Sequence, residues 1–288
     1  MVFRLLAVNI DGTLLQSNGR LDKSTKEAME FVHQKGVHIA LVTSRNFLSA
    51  KKVAKALKVN PMIVAHQGAY IGYPAEKPIF IKRISEEHTL EIVQFLEKAN
   101  CQIKVVHEKF IIGNRVNLPE NILGKAVMYM NEGNFYSSQY VDTVSEALED
   151  NPVSPPKIDA IFESEKEQHD ICKLLTELYP EIQAIQLPNR KVSIVPRGVS
   201  KWNGVLNLAE HLGVRKEEIV AIGDGQDDIE MIENCGVGVA MSNADPNVKR
   251  AAKWITRTND EHGVSYMLKE FFRKQHPIEF LEKLNMLK

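Results

Sequence analysis

Three cysteines in 288 residues, Cys101, Cys172 and Cys235, leave this sequence without a Cys-x-x-Cys pair and with an odd count. That suggests neither a disulfide framework nor a zinc site, and it fits buried free thiols in a reducing compartment. A surplus of one charge sign is also missing: 36 basic residues face 37 acidic ones, a formal net charge of −1. No global field draws in nucleic acid or an anionic membrane, so neither is an expected partner and any anion site is local. No apolar run is long enough for a membrane span, and the one near the start is broken by Asp11 and Gly12 before a signal-peptide core forms. The cytoplasm is the expected setting. Gly12 and the glycines near Asp224 lack the spacing of a dinucleotide fingerprint or a P-loop, and there is no repeat or low-complexity segment.

What is present is the alternation of an α/β protein. "LLAVNIDGTLL" (residues 5–15), "VHIALVTSR" and "PMIVAHQG" read as buried strands ending in polar residues, with amphipathic helices between them. The first helix has Asp22 or Ser24 as its cap and Gly36 as its stop. The pattern returns late, with a helix in "KWNGVLNLAEHLGV", a strand in "EEIVAIGDG", a helix in "DIEMIENCG" and a strand in "VGVAMSNA". Strand–helix alternation of this length implies right-handed crossovers and a doubly wound, Rossmann-like parallel sheet. The expected core domain is 1–82 with 188–288, interrupted by an α+β insertion at 83–187. The insertion carries strands in "QIKVVH", "AVMYM", "KIDAIF" and "IQAIQL" and a helix from about Glu165 to Tyr179. "ALEDNPVSPPK" has linker character and reads as a loop inside it.

In an open parallel sheet the C-terminal strand ends converge on one crevice. Here they bring Asn9 and Asp11, Thr43 to Arg45, and Asp224, Asp227 and Asp228, with Lys201 opening the helix before the late strand. Carboxylates with no histidine or cysteine beside them suit a hard cation such as Mg2+, and a lysine, a threonine hydroxyl and backbone N–H groups suit a phosphoryl group. Each signal has a plainer reading: Asp-Gly is a common turn, Asp227 and Asp228 favour a helix start, and Lys201 after a capping Ser200 is a first-turn residue. Their order and their positions at strand ends favour the joint reading.

"NIDGTLL", "LVTSR", "VPRGVSKWNGV" and "GDGQDDIEM", followed by "MSNADPNVKRAAKWITRTNDEHGV", resemble the haloacid dehalogenase superfamily in its Cof-type phosphatase branch. The likeness covers both halves of the core, and the insertion sits where that branch carries a C2-type α/β cap. The resemblance implies a Mg2+-dependent phosphatase of a small phosphorylated metabolite. It implies that residue 9 attacks phosphorus, that Asp11 serves as acid and then base, and that Thr43 and Lys201 hold the transferring group. The cation would be held by residue 9, the Asp11 carbonyl and Asp224, with Asp228 orienting Lys201 or metal-bound water. Gly12, Ser44, Arg45, Gln67, Gly68 and Asn243 would border the substrate, and the cap would close over it and set specificity.

Three positions depart from the family pattern. Asn9 replaces the nucleophilic aspartate, Asp227 stands where asparagine is usual, and Gln67 stands where "Asn-Gly-Ala" is usual. Only Asn9 changes the reaction, because a carboxamide offers a cation a neutral oxygen and forms no ordinary phosphoaspartate. The gain of charge at 227 offsets the loss at 9, which predicts that cation binding survives. Three readings stay open: a phosphatase working through metal-bound water or after conversion of Asn9 to aspartate, a binding or sensing protein without turnover, and an asparagine introduced to trap a substrate complex.

Other positions are less telling. His66 reads either as a substrate contact or as a histidine satisfied by loop backbone, Asn259 as a loop residue, and Trp202 and Trp254 as packing. Lys104, His107, Lys109 and Tyr129 in the insertion receive no role. In the tail, Ile278, Leu281, Phe280, Leu284 and Leu287 suit docking on the chain's own core or a homo-oligomer contact.

Overall fold

The structure, a computed structural model, describes residues 2–99, 101–115 and 137–284. It divides into two compact units, Met1–Phe80 with Ser200–Lys288, and Ile81–Val199. The first unit begins with β1 (Leu5–Asn9), buried at every position, as a strand covered on both faces must be. The chain then makes one wide turn, closed by Leu15 N–H donating to the Ile10 carbonyl, and enters α1 (Lys23–Gln34). Asp22 is the cap, its carboxylate accepting the N–H groups of Ser24 and Thr25. β2 (His38–Val42), α2 (Phe47–Ala56) and β3 (Met62–Ala65) follow, and a short antiparallel return gives β4 (Tyr70–Gly72) and β5 (Pro78–Ile81).

The second unit is a six-stranded sheet with helices packed on one face. It comprises α3 (Glu86–Leu96), β6 (Cys101–Val106), β7 (Phe110–Asn114), β8 (Ser137–Val141), α4 (Val144–Asp150), β9 (Lys157–Phe162), α5 (Glu165–Leu178), β10 (Ile182–Leu187) and β11 (Lys191–Pro196). The strand order is β10-β11-β9-β6-β7-β8, antiparallel except for β7 with β8. Alternation sends Ile158, Ala160 and Phe162 of β9 into an apolar core with Ile92, Leu96, Leu148 and Leu175 from the helices. Lys157 and Asp159 take the other face, where Asp159 accepts hydrogen bonds from Lys157 (2.8 Å) and Ser193 (2.6 Å) and pairs with Lys191 (3.0 Å).

Two sequence expectations shift here. The insertion runs to Val199 rather than 187, because β11 pairs with both β10 and β9 and so belongs to their sheet. "ALEDNPVSPPK" is helical up to Asp150, with Val144 and Leu148 buried, and only residues 151–156 form a loop before β9. The expected strand "AVMYM" and Tyr129 lie outside the described residues.

The chain re-enters the first unit through α6 (Lys201–His211), then β12 (Ile219–Gly223), α7 (Ile229–Asn234), β13 (Val237–Ala240), α8 (Pro246–Ala251), β14 (Trp254–Ile255), α9 (Gly263–Phe272) and α10 (Ile278–Lys283). The eight-stranded sheet has the order β14-β13-β12-β1-β2-β3-β4-β5 and is parallel from β14 to β3. Its order reverses between β1 and β12, where a doubly wound sheet opens its ligand crevice. In α10, Ile278 and Leu281 are buried, and the Ile278 N–H donates to Lys35 at the end of α1 (2.8 Å), so the tail docks on its own unit. Phe280 and Leu284 stay exposed, and Leu287 lies outside the described residues. Among the described residues no helix is long and apolar enough to cross a membrane.

Candidate active site

β1 and β12 end side by side and deliver the two halves of the site. Asn9, the last residue of β1, is 6% exposed. Its Oδ1 accepts the Ile10 N–H (2.8 Å) and faces Lys201 Nζ (3.4 Å), and its Nδ2 donates to the Asp11 carbonyl and to Asp224 Oδ1, both at 2.9 Å. The same Asp224 oxygen accepts the Thr13 hydroxyl (2.6 Å). Gly12 is required between them: its φ is +70°, and a Cβ there would lie 2.1 Å from Asp224 Oδ2.

Lys201 opens α6 with Ser200 as its cap. Its Nζ is held between Asp228 Oδ1 (2.8 Å) and Asp227 Oδ2 (3.0 Å). Asp228 is fully buried, and its second oxygen accepts the N–H groups of Asp224 (3.0 Å) and Gly225 (2.9 Å). Both Asp228 oxygens are therefore committed, and of the two expected roles its contacts support orienting Lys201 rather than contacting the cation or its water. Burial works against charge on Lys201, but Asp227 and then Asp228 outweigh it and hold the ammonium above the usual lysine value. Burial raises Asp228 above the usual aspartate value, against the pull of Lys201, which donates to it at 2.8 Å. Asp224 is also raised, first by burial and also by Asp227, against the hydrogen bonds from Thr13 and Asn9.

The loop after β2 forms the opposite wall. Arg45 grips the exposed Asp11 carboxylate in a fork, Nε to Oδ2 at 2.7 Å and the terminal nitrogen to Oδ1 at 2.5 Å, and it also donates to Ser49. Thr43 is fully buried, its hydroxyl oxygen accepting the Arg45 N–H (3.1 Å), and Ser44 beside it is half-buried. Gln67, with φ +62°, donates its N–H to the Thr43 carbonyl (3.2 Å), while both polar atoms of its buried side-chain amide lack a hydrogen-bond partner. Such an orphaned amide costs about 1–3 kcal/mol unless a ligand or water meets it. At Gly68 the Ser200 carbonyl comes so close that a Cβ would sit 2.1 Å from it. Of the two readings of His66, the structure supports the backbone one: its Nε2 accepts the Phe47 N–H at the start of α2 (3.0 Å).

Asn243 donates to the Gly12 carbonyl (2.8 Å) and accepts the Asn259 N–H (3.0 Å), and Asn259 donates to the Leu15 carbonyl (3.0 Å). Thr13 is the functional residue that sequence reasoning missed, although it stands inside the quoted Asp-Gly-Thr. Asp227, left without an orientation by the sequence, points at Lys201, so the charge gained at 227 serves the ammonium.

These groups place four carboxylates, Asp11, Asp224, Asp227 and Asp228, against two cationic side chains, Lys201 and Arg45. The formal excess of two negative charges matches one divalent cation. Among the described residues no three His, Cys, Asp or Glu side chains converge as a metal site. The oxygen donors that suit Mg2+ are one carboxylate, Asp224, and the Asp11 carbonyl; the single amide oxygen of Asn9 is turned to Ile10 N–H and Lys201.

Comparison with known proteins places the chain in a family. Residues 6–268 match the model of the haloacid dehalogenase-like hydrolases. The chain belongs to that family, in its Cof-type branch. It is 47% identical to the stress response protein YhaX of Bacillus subtilis over 287 residues, covering 98% of each chain. It is 24% identical to YitU of B. subtilis, a 5-amino-6-(5-phospho-D-ribitylamino)uracil phosphatase, over 93% of this chain and 97% of that one. Among solved structures, a haloacid dehalogenase-like hydrolase from B. subtilis superposes with a TM-score of 0.82 at 24% identity, covering 93% of this chain and 99% of that one. That likeness speaks to the fold.

Proposed function

We propose that this member of the hydrolase family binds a small phosphorylated metabolite together with Mg2+, and that Asn9 withholds covalent turnover. One observation carries the reading. The side chain at the end of β1, where the family has its nucleophile, is a carboxamide whose only oxygen already accepts Ile10 N–H and faces Lys201. Its nitrogen lone pair is delocalised into the carbonyl and its oxygen is uncharged, so neither attacks phosphorus as a carboxylate does.

The rest of the crevice suits a phosphate monoester. Lys201 and Arg45 stand on two sides of it, and the Thr43 hydroxyl lies beside Arg45. A cation held by Asp224 and the Asp11 carbonyl would cancel the negative excess and let a phosphoryl dianion enter. Direct attack by water needs a base, and the Asp11 carboxylate has both oxygens in the Arg45 fork, so that pair must open before Asp11 accepts a proton. YitU, by its name a phosphatase of a phosphorylated ribityl compound, supports a small phosphorylated ligand.

The test is calorimetric titration of the full chain with inorganic phosphate and a set of small phosphate esters, with and without Mg2+. The expected result is saturable, Mg2+-dependent binding with the ester recovered intact. Phosphate release at a few turnovers per second, an ordinary enzymatic rate, would contradict the reading. So would an absence of binding to inorganic phosphate and to every ester.

A further inference from the structure

Position 9 lies between two sets of groups with opposite demands. On one side Ile10 N–H and Lys201 Nζ are donors and ask for an acceptor. On the other side the Asp11 carbonyl and Asp224 Oδ1 are acceptors, the two oxygens that with residue 9 would face the cation. A carboxylate has an oxygen for each side and needs a cation to hold the oxygens of the second side together. A carboxamide has one acceptor and one donor, and here each already meets its complement. Oδ1 takes both donors, and Nδ2 gives one hydrogen to each acceptor oxygen at 2.9 Å. Turning the amide over would set its NH2 against Ile10 N–H and the Lys201 ammonium, and its oxygen against the Asp224 carboxylate.

We propose that the NH2 group of Asn9 takes the cation's place between Asp11 O and Asp224 Oδ1, so that Mg2+ enters this chain only by displacing it. The inference rests on the cation-binding reading above and adds a reason for weak affinity that is separate from lost charge. The network around it is complete. Thr13 supplies a second donor to Asp224 Oδ1, and Asp228, Asp227 and the Asn9 oxygen surround Lys201. Asn9 Nδ2, the Asp11 carbonyl and Asp224 Oδ1 are paired with one another. Because the negative excess stays uncancelled without the cation, phosphate affinity follows cation affinity, and the chain senses a phosphorylated ligand only where divalent cation is plentiful.

Separating competition from charge takes two variants. Asn9→Asp removes the competing NH2 and adds a charged ligand. Asn9→Ala removes the NH2 and the amide oxygen and adds nothing. Mg2+ binding is read by calorimetry, and Mn2+ binding by its effect on water proton relaxation, on chains whose fold is checked by circular dichroism. The expected result is a cation affinity at least 100-fold higher in Asn9→Asp than in the parent chain, and an affinity in Asn9→Ala equal to or higher than the parent's. A parent affinity within tenfold of Asn9→Asp overturns the inference. Weaker binding in Asn9→Ala than in the parent also overturns it, since the amide would then be a ligand and not a competitor. Failure of Asn9→Asp to bind either cation sinks the cation-binding reading itself, a different result. A readout on the parent alone is the side-chain NH2 pair of Asn9 in a 15N-labelled sample, assigned by its loss in Asn9→Asp. Saturation with Mg2+ is expected to shift the pair and speed its exchange with solvent, and an unmoved, protected pair at saturation overturns the proposal.

Discussion

Replacing Asp228 by asparagine removes half of the carboxylate pair that holds a buried ammonium. Asp228 is fully buried and Lys201 is 3% exposed, so the charge left on Lys201 is poorly solvated. The asparagine oxygen keeps the N–H groups of Asp224 and Gly225, which leaves its NH2 facing Nζ. Breaking a buried pair from one side costs about 3–5 kcal/mol, reduced here toward the lower end because Asp227 remains 3.0 Å from Lys201. Asp227→Asn is a milder change even though Asp227 pulls on the Lys201 charge, because Asp228 stays 2.8 Å from Lys201 and keeps the N–H groups of Asp224 and Gly225, so about 1 kcal/mol, the net worth of one hydrogen bond, is expected. Urea unfolding followed by tryptophan fluorescence reads the difference in the right place, since both tryptophans, Trp202 and Trp254, belong to the unit that carries the site. A loss of about 3 kcal/mol for Asp228→Asn and about 1 kcal/mol for Asp227→Asn is predicted, with unchanged m-values. Asp228→Asn within 1 kcal/mol of the parent, or Asp227→Asn as the costlier change, would refute the assignment of Asp228 as the anchor of Lys201.

Gly12→Ala is expected to lower stability by about 1–3 kcal/mol and to weaken Mg2+ binding, because the new methyl meets Asp224 Oδ2 at a left-handed φ; thermal unfolding and cation titration check both effects. Arg45→Ala frees Asp11 yet changes stability by less than about 1 kcal/mol, since the Asp11 side chain is 55% exposed, and it weakens phosphate binding in the same titrations. In the inserted unit, burial raises Asp159 but Lys157 and Lys191 more than offset it, so its carboxyl in the folded protein is held well below the usual aspartate range. A depressed carboxylate contributes its stability above the unfolded value and loses it as pH falls toward the folded one. The urea midpoint of that unit, followed by circular dichroism, should therefore fall from pH 5 to pH 3, with a smaller fall in Asp159→Asn; equal slopes would contradict it.

The central strands and the α5 helix were legible because burial on both faces makes a strand a continuous apolar run, and because α5 has an amphipathic period and a capping box at Ser164 and Glu167. The site's membership was legible for a topological reason: strand ends in a parallel sheet converge whatever the side chains do. Orientation was not legible. Nothing in "GDGQDD" states that Asp227 turns to Lys201, and nothing in "TSR" states that Arg45 clasps Asp11. Those contacts join residues far apart in the chain. The insertion's limit was missed because β11 alternates like a strand of either sheet, and only its antiparallel partners decide the matter. The α4 helix was hidden by the proline-rich residues that follow it, since four helical turns' worth of signal is absent from so short a segment.

Residue 9 is the proposed switch between binding and turnover. Phosphate release from a panel of small phosphate esters in Mg2+, compared between the chain as it is and Asn9→Asp, tests that directly. Turnover by Asn9→Asp alone, with the parent at background, is the predicted result. Comparable turnover by both would show that the reaction does not pass through residue 9, and would contradict the account.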